Sequence, residues 1–229
     1  MMGGWGEFAA ASALFLISHA VPSWPGLKTG LIARIRRSGY LVLYNAVSVV
    51  LLAWLIVAAG RAPYLALWPQ LPWHRWAINI VMPFAVLLGA FGIGTANPLS
   101  FGGRRSGFDA EHPGVVGFVR HPLLWALLLW AAAHLLANGD LAHVILFGGF
   151  AAMAIIGMVA IDARNRRRLG PAEWERLSHR TSSVPGMALM RGRWRPKDGP
   201  TPWRVILALA IWPLLLWLHP VVIGVSPLP

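Results

Sequence analysis

The chain has 229 residues, of which 57% are hydrophobic and only 12% charged, whereas an average soluble domain carries roughly a quarter charged residues, so a water-soluble enzyme is excluded. Lys and Arg outnumber Asp and Glu by 20 to 8, a net charge of +12, but in so apolar a chain cations report orientation in a membrane before they report nucleic acid, which is not an expected partner. No Cys is present, which removes disulfides, thiolate metal ligands and thiol nucleophiles.

Taken in chain order, apolar runs long enough to cross about 30 Å of hydrocarbon fall at 5–22, 40–60, 77–96, 121–138, 141–161 and 203–224. In lipid each can satisfy its own backbone only as a helix. The expected fold is therefore all-α, a polytopic transmembrane bundle of about six helices forming a single domain over 1–229. The opening MMGGWGEF lacks a basic segment, so the first run is read as a helix and not as a cleavable signal. Asn138-Gly139-Asp140 alone separates the fourth run from the fifth, an Asn-Gly turn with Asp140 placed to cap the next helix, and predicts a tight helical hairpin. Gly92, Gly94, Gly148, Gly149 and Gly157 read as points of close helix packing. The long polar stretch 162–202 begins with a basic helix end, offers a short amphipathic surface helix over Leu169–Leu177 opened by Pro171, and continues as an irregular connection from 185 to 202.

Eighteen of the 20 basic residues lie in 23–39, 97–120 and 162–204, leaving only Arg61 and Arg75 for the opposite side. The positive-inside rule then predicts those loops cytoplasmic, both termini on the opposite side and anionic lipid as the nearest partner of the charges.

Polar groups inside apolar runs are costly and are functional candidates by default. His19, Asn45, His121, His134 and Asn138 are the principal ones. The orientation puts His19, Tyr44, Asn45, Arg120 and His121 at one inner level, with Asp162 and Glu173 able to approach it from below. His134 and Asn138 share a helix face at the outer level, followed by Asp140 and His143. A neutral, internally bonded imidazole competes with each His, and capping competes at Asn138 and Asp140.

Ser18-His19, the run Arg120-His121-Pro122-Leu123-Leu124-Trp125-Ala126-Leu127, the continuation from Trp130 through His134 and Asn138-Gly139-Asp140 to Phe150, and the ending His219-Pro220-Val221-Val222-Ile223-Gly224 resemble the NnrU family of bacterial membrane proteins over nearly the whole chain. The resemblance implies a link to denitrification, that is, to nitrite and nitric oxide metabolism, and a place beside respiratory nitrite or nitric oxide reductase components. A more distant likeness to zeta-carotene isomerase implies haem b held by histidines. His19 is the first candidate axial ligand, with His134 and His121 open for the second; these two lie thirteen residues apart, about 20 Å along one helix, and cannot share one iron.

The chain is also similar to isoprenylcysteine and phospholipid methyltransferases, in its hairpin and in Arg120-His121-Pro122 followed by Glu173, Glu175 and Pro185. That likeness implies S-adenosylmethionine as an alternative cofactor and a lipid-like substrate. Trp125 stands near a small residue of that pattern, and Arg166-Arg167-Arg168 replaces its paired acids, so an anchor for the cofactor amine is missing. A third reading is a non-enzymatic accessory or assembly factor, with His134, Asn138 and Asp140 as a contact surface.

Overall fold

The computed structural model describes residues 4–21 and 24–229; Met1-Met2-Gly3 and Pro22-Ser23, including the expected end of the first run, lie outside the described residues. The described chain is helical, in the order α1 (Trp5–Ala20), α2 (Pro25–Arg61), α3 (Pro72–Gly92), α4 (Val115–Phe118), α5 (Pro122–Ala137), α6 (Leu141–Leu169), α7 (Pro171–Ser178), α8 (Met187–Met190) and α9 (Pro202–Val222). All six apolar runs occur as helices. Four of them, α2, α3, α6 and α9, are long and apolar enough to cross a membrane, and α5 is apolar but shorter. With 16 residues each, α1 and α5 reach about 24 Å, less than a full hydrocarbon layer.

Local chemistry sets the helix ends. Pro72, Pro122, Pro171 and Pro202 open α3, α5, α7 and α9, where a missing N–H leaves no bond unmade. The Asp140 carboxylate accepts the His143 backbone N–H at 3.2 Å and caps α6 as expected. At the far end of α6, Arg166, Arg167 and Arg168 occupy the last turn, where cations suit the helix dipole. Gly170, at φ 78°, then ends the helix in the left-handed conformation that glycine adopts without strain. The basic tail therefore continues the helix eight residues beyond the apolar run, the basic helix end that the sequence predicts. In α2, Arg36 breaks the helix at φ 60°, ψ 167°, so its basic first third is kinked away from the apolar remainder. In the connection after α7, Gly186 turns the chain into the single helical turn α8, and the rest is irregular as the sequence predicts.

The described residues fall into two compact units, one made of those within 1–69 together with Gly139–Leu146, the other of Gln70–Asn138 and Phe147–Pro229. Within the first, α1 packs along α2, burying Phe8, Ala11, Phe15, Leu55, Ala58 and Ala59. The segment before α3 is pinned to the Gly139 turn: Leu67 N–H donates to the Gly139 carbonyl at 2.7 Å, and Leu141 N–H to that of Leu65 at 2.9 Å. A Cβ on Gly139 would strike the Trp68 carbonyl, so only glycine admits this contact.

Within the second unit α3 packs against α5 and α9. A Cβ at Gly92 would lie 2.7 Å from the Leu123 side chain, so the close approach expected there is real. Gly148 and Gly149 meet nothing within 4 Å and Gly94 serves a turn at φ 64°, which corrects the packing role assigned to those three. Trp130 sits edge-on to Phe147 and Phe150 at 5.2 and 5.5 Å, the expected hairpin contact. Val42, Val49 and Val50 on α2 and Leu209, Trp217 and Val221 on α9 are all exposed, an all-round apolar surface that lipid, not water, can cover.

Candidate functional site

Polar side chains gather at the basic end of the second unit. The connection from α3 to α5 is folded by its glycines: Gly94 N–H donates to the Gly102 carbonyl at 3.0 Å, and Asn97 N–H and Arg104 N–H donate to the Arg104 and Thr95 carbonyls at 2.8 and 2.7 Å. A Cβ at Gly103 would lie 2.7 Å from that of Asn97. This tight turn presents Asn97 and Ser100 to the start of α5.

Asp162 on α6 is the hub of the cluster. Its Oδ2 accepts from Arg120 at 2.5 Å and from the Ser183 hydroxyl at 2.9 Å. Its Oδ1 accepts the Nε2–H of His121 at 3.1 Å, and the other ring nitrogen, Nδ1, pairs with the Ser100 hydroxyl at 2.9 Å. Arg120 also donates its Nε–H to Thr181 at 2.8 Å, stacks over Trp174 at 4.9 Å, and has its backbone carbonyl bonded by the Asn97 amide at 2.9 Å. Asn165, one turn beyond Asp162, donates to the Leu99 carbonyl at 2.8 Å. Trp125 donates its indole N–H to the Ser183 carbonyl at 2.7 Å. Burial pushes the Arg120 guanidinium below its ordinary value, and the Asp162 charge opposes that push; an Arg remains a cation regardless.

The succession Ser100, His121, Asp162 has the residue types of a nucleophilic triad but not its access. His121 is 0% exposed, both its ring nitrogens are engaged, and Asp162 is shared with a buried Arg. No lone pair of His121 is left for a substrate or a metal, so this cluster clamps four segments of chain and does not present a base. His121 therefore does not fit the axial-ligand role open to it in the sequence.

His19 and His134 differ from it. His19 Nδ1–H donates to the Phe15 carbonyl one turn back at 2.8 Å, and His134 Nδ1–H donates to that of Trp130 at 2.8 Å. Neither Nε2 has a hydrogen-bond partner among the described residues. Both rings are thus held by a bond at Nδ1 with Nε2 free to ligate, the arrangement common in protein-bound metals and haems. In the first unit His19 lies 4.1 Å from the Phe15 ring and 6.0 Å from that of Tyr44. Tyr40, Tyr44 and Ser48 form one stripe of α2; Ser48 is within hydrogen-bonding reach of Tyr44, and the Tyr40 hydroxyl is buried without a partner among the described residues. In the second unit His134 stands between Trp130 and Phe147, 5.2 and 5.1 Å away.

The remaining expected residues disperse. Asn45 is exposed on α2. The Asn138 amide bonds the His134 carbonyl at 2.8 Å and closes α5, and Asp140 pairs with His143 at 2.7 Å in the first unit; of the outer-level groups, Asn138, Asp140 and His143 are accounted for by helix ends. Glu173 pairs with Arg176 at 2.7 Å and Glu175 with His179 at 3.0 Å, all on the exposed face of α7. Asp162 was anticipated near Arg120 and His121. Asn97, Ser100, Asn165, Thr181 and Ser183 were missed; their signal is uncharged polar residues within otherwise basic connections. Among the described residues no group of three or more His, Cys, Asp or Glu could hold a metal ion.

An all-helical, multi-pass chain clamped at its basic end by a buried Arg-Asp-His cluster is an integral membrane protein of the lipid bilayer. The model of the family described as NnrU protein matches residues 7–227, and the chain belongs to that family. No curated protein and no solved structure matches it.

Proposed function

We propose that this NnrU-family protein binds haem b through membrane-embedded histidines and serves nitrite or nitric oxide metabolism, beside respiratory reductase components in the bacterial inner membrane. Its basic loops then face the cytoplasm and both termini the periplasm. The supporting observation is the shared state of His19 and His134: Nδ1 bonded to the preceding turn, Nε2 unpartnered among the described residues. The donor set fits a haem, which takes neutral imidazole on an axial side and needs no third protein ligand. The buried, unpartnered Tyr40 hydroxyl on the stripe that meets His19 is the kind of polar atom that a bound group satisfies. His19 would be the first residue to hold the group, and His134 is the next candidate. A bound haem would supply an iron centre that takes nitric oxide, and the aromatic rings beside each His would exclude water from it. S-adenosylmethionine gains no such support, because Arg120 and His121 are consumed by Asp162 and both Glu173 and Glu175 are paired on the surface.

The test is the absorption spectrum of protein purified from haem-replete cells. A Soret band is expected, lost in His19→Ala or reduced in His134→Ala, and retained in folded Asn45→Ala. A colourless parent protein, or a band unchanged in both histidine variants, would sink the reading. Co-purification with a nitrite or nitric oxide reductase tests the partnership separately.

A further inference from the structure

Two adjoining hollows in the second unit remain outside the clamp and the histidines. The smaller, about 350 Å³, is walled by His112, Arg180, Arg193, Arg195 and Lys197, with Glu111 as its acid. Glu111 is spent on Arg180 at 2.7 Å. Arg193 donates one guanidinium N–H to the His179 carbonyl at 2.7 Å, while its Nε is buried without a partner. Arg195 and Lys197 are exposed and carry no ion pair among the described residues. Three cations thus face a small hollow with no anion to answer them.

The larger hollow, about 520 Å³, shares His112, Arg195 and Lys197 with the first. Its other walls are apolar: Leu87, Leu88 and Phe91 of α3, with Phe108, Phe118 and Trp194. Asp109 at its rim is engaged by His112 at 2.9 Å, which leaves Asp198 as its second carboxylate. α3 is one of the membrane-crossing helices, so Leu87 and Leu88 continue the wall from the basic end toward the hydrocarbon. Trp194 is fixed by the fold, since a Cβ on Gly117 would strike its ring.

A cationic hollow opening into an apolar cleft at the end of a transmembrane helix matches an amphiphile with an anionic head and a hydrocarbon chain. We propose that the paired hollows bind a phosphate-headed membrane lipid, its phosphate against Arg193, Arg195 and Lys197 and its chain along Leu87, Leu88 and Phe91. Arg forks suit phosphate oxygens geometrically. The proposal is independent of haem binding.

The experiment is native mass spectrometry of the detergent-purified chain with phosphatidic acid, phosphatidylcholine or inorganic phosphate. One saturable phosphatidic acid per chain is expected, with no comparable binding of phosphatidylcholine and no displacement by inorganic phosphate. Arg193→Gln/Arg195→Gln/Lys197→Gln should weaken binding tenfold or more, and Leu88→Ser should also weaken it. Arg105→Gln/Arg164→Gln/Arg167→Gln, which removes equal charge from exposed positions elsewhere, should leave it unchanged. Equal loss in both triple variants would reduce the effect to diffuse attraction and overturn the proposal. Full displacement by inorganic phosphate would do the same by showing a soluble-anion site. If the pocket triple fails to fold, the exposed single changes Arg195→Gln and Lys197→Gln carry the test, and unaltered affinity in both counts against it.

Discussion

The Asp162 cluster and the His19 face place polar groups in similar surroundings and treat them in opposite ways. Around Asp162 the titratable side chains are all bonded to one another, and His121 has neither a free nitrogen nor exposed surface. Around His19 one ring nitrogen is committed and the other has no partner among the described residues, and the Tyr40 hydroxyl of the neighbouring helix face is buried with nothing among them to bond. A satisfied polar network specifies structure; an unsatisfied one is kept at a cost, and the cost points to a ligand. The same contrast separates the two histidines of the segment from Arg120 to Asn138: His121 is locked and His134 is open.

The largest effect belongs to the hub. Asp162→Ala strands a buried guanidinium and the His121 N–H together, and breaking a buried pair from one side costs about 3–5 kcal/mol. Thermal unfolding in detergent should show a strongly destabilised or unfoldable protein, with Ser183 and Thr181 released from Arg120. His121→Phe should be destabilising as well, because it frees both Ser100 and Asp162, whereas His19→Phe loses only a bond within its own helix and should retain its fold. Equal stability of those two variants would erase the distinction between locked and open histidines.

Asn165→Ala ranks next. It leaves the carbonyl of fully buried Leu99 without its donor, a loss of about 1–3 kcal/mol, read as a lower unfolding midpoint with unchanged haem content. Tyr40→Phe runs the other way. Removing an unpartnered buried hydroxyl should stabilise haem-free protein by roughly 1 kcal/mol, while lowering the fraction of purified protein that carries haem. A destabilised Tyr40→Phe variant with full haem content would show the hydroxyl to be bonded in the folded chain and would dissolve the contrast.

These two regions were unequally legible. Helix positions follow from apolar runs because lipid permits a single backbone solution, and Asn138-Gly139-Asp140 announces its turn and cap. His19, Arg120, His121 and Asp162 are conspicuous because ionisable groups next to hydrocarbon are rare. Their bonding is another matter: Asn97, Ser100, Thr181 and Ser183 come from connections on either side of α5 and α6, and no periodicity links them. Depth along a helix grouped His19 with His121, but depth carries no information on which ring nitrogens are already used. Arg166-Arg167-Arg168 reads as a basic helix end, and so it is: lipid limits only the apolar part of α6, and the helix runs on until Gly170.

The smallest effect is at α7, where charges are paired but exposed. Hydrogen bonding from Arg176 holds the Glu173 carboxyl below its ordinary range, and the Glu in turn raises Arg176. Because the folded carboxylate titrates lower than the unfolded one, its contribution is complete above the ordinary Glu range and fades as pH falls through the depressed value. Solvent screens such a pair, so Glu173→Gln should leave the neutral-pH unfolding midpoint unchanged. Carbon-detected NMR titration should find Glu173 protonating below the ordinary range in the parent and returning to it in Arg176→Gln. An unshifted Glu173 in the parent would mean that Arg176 does not hold the carboxylate in solution, and that bonding at this basic end is confined to the buried cluster around Asp162.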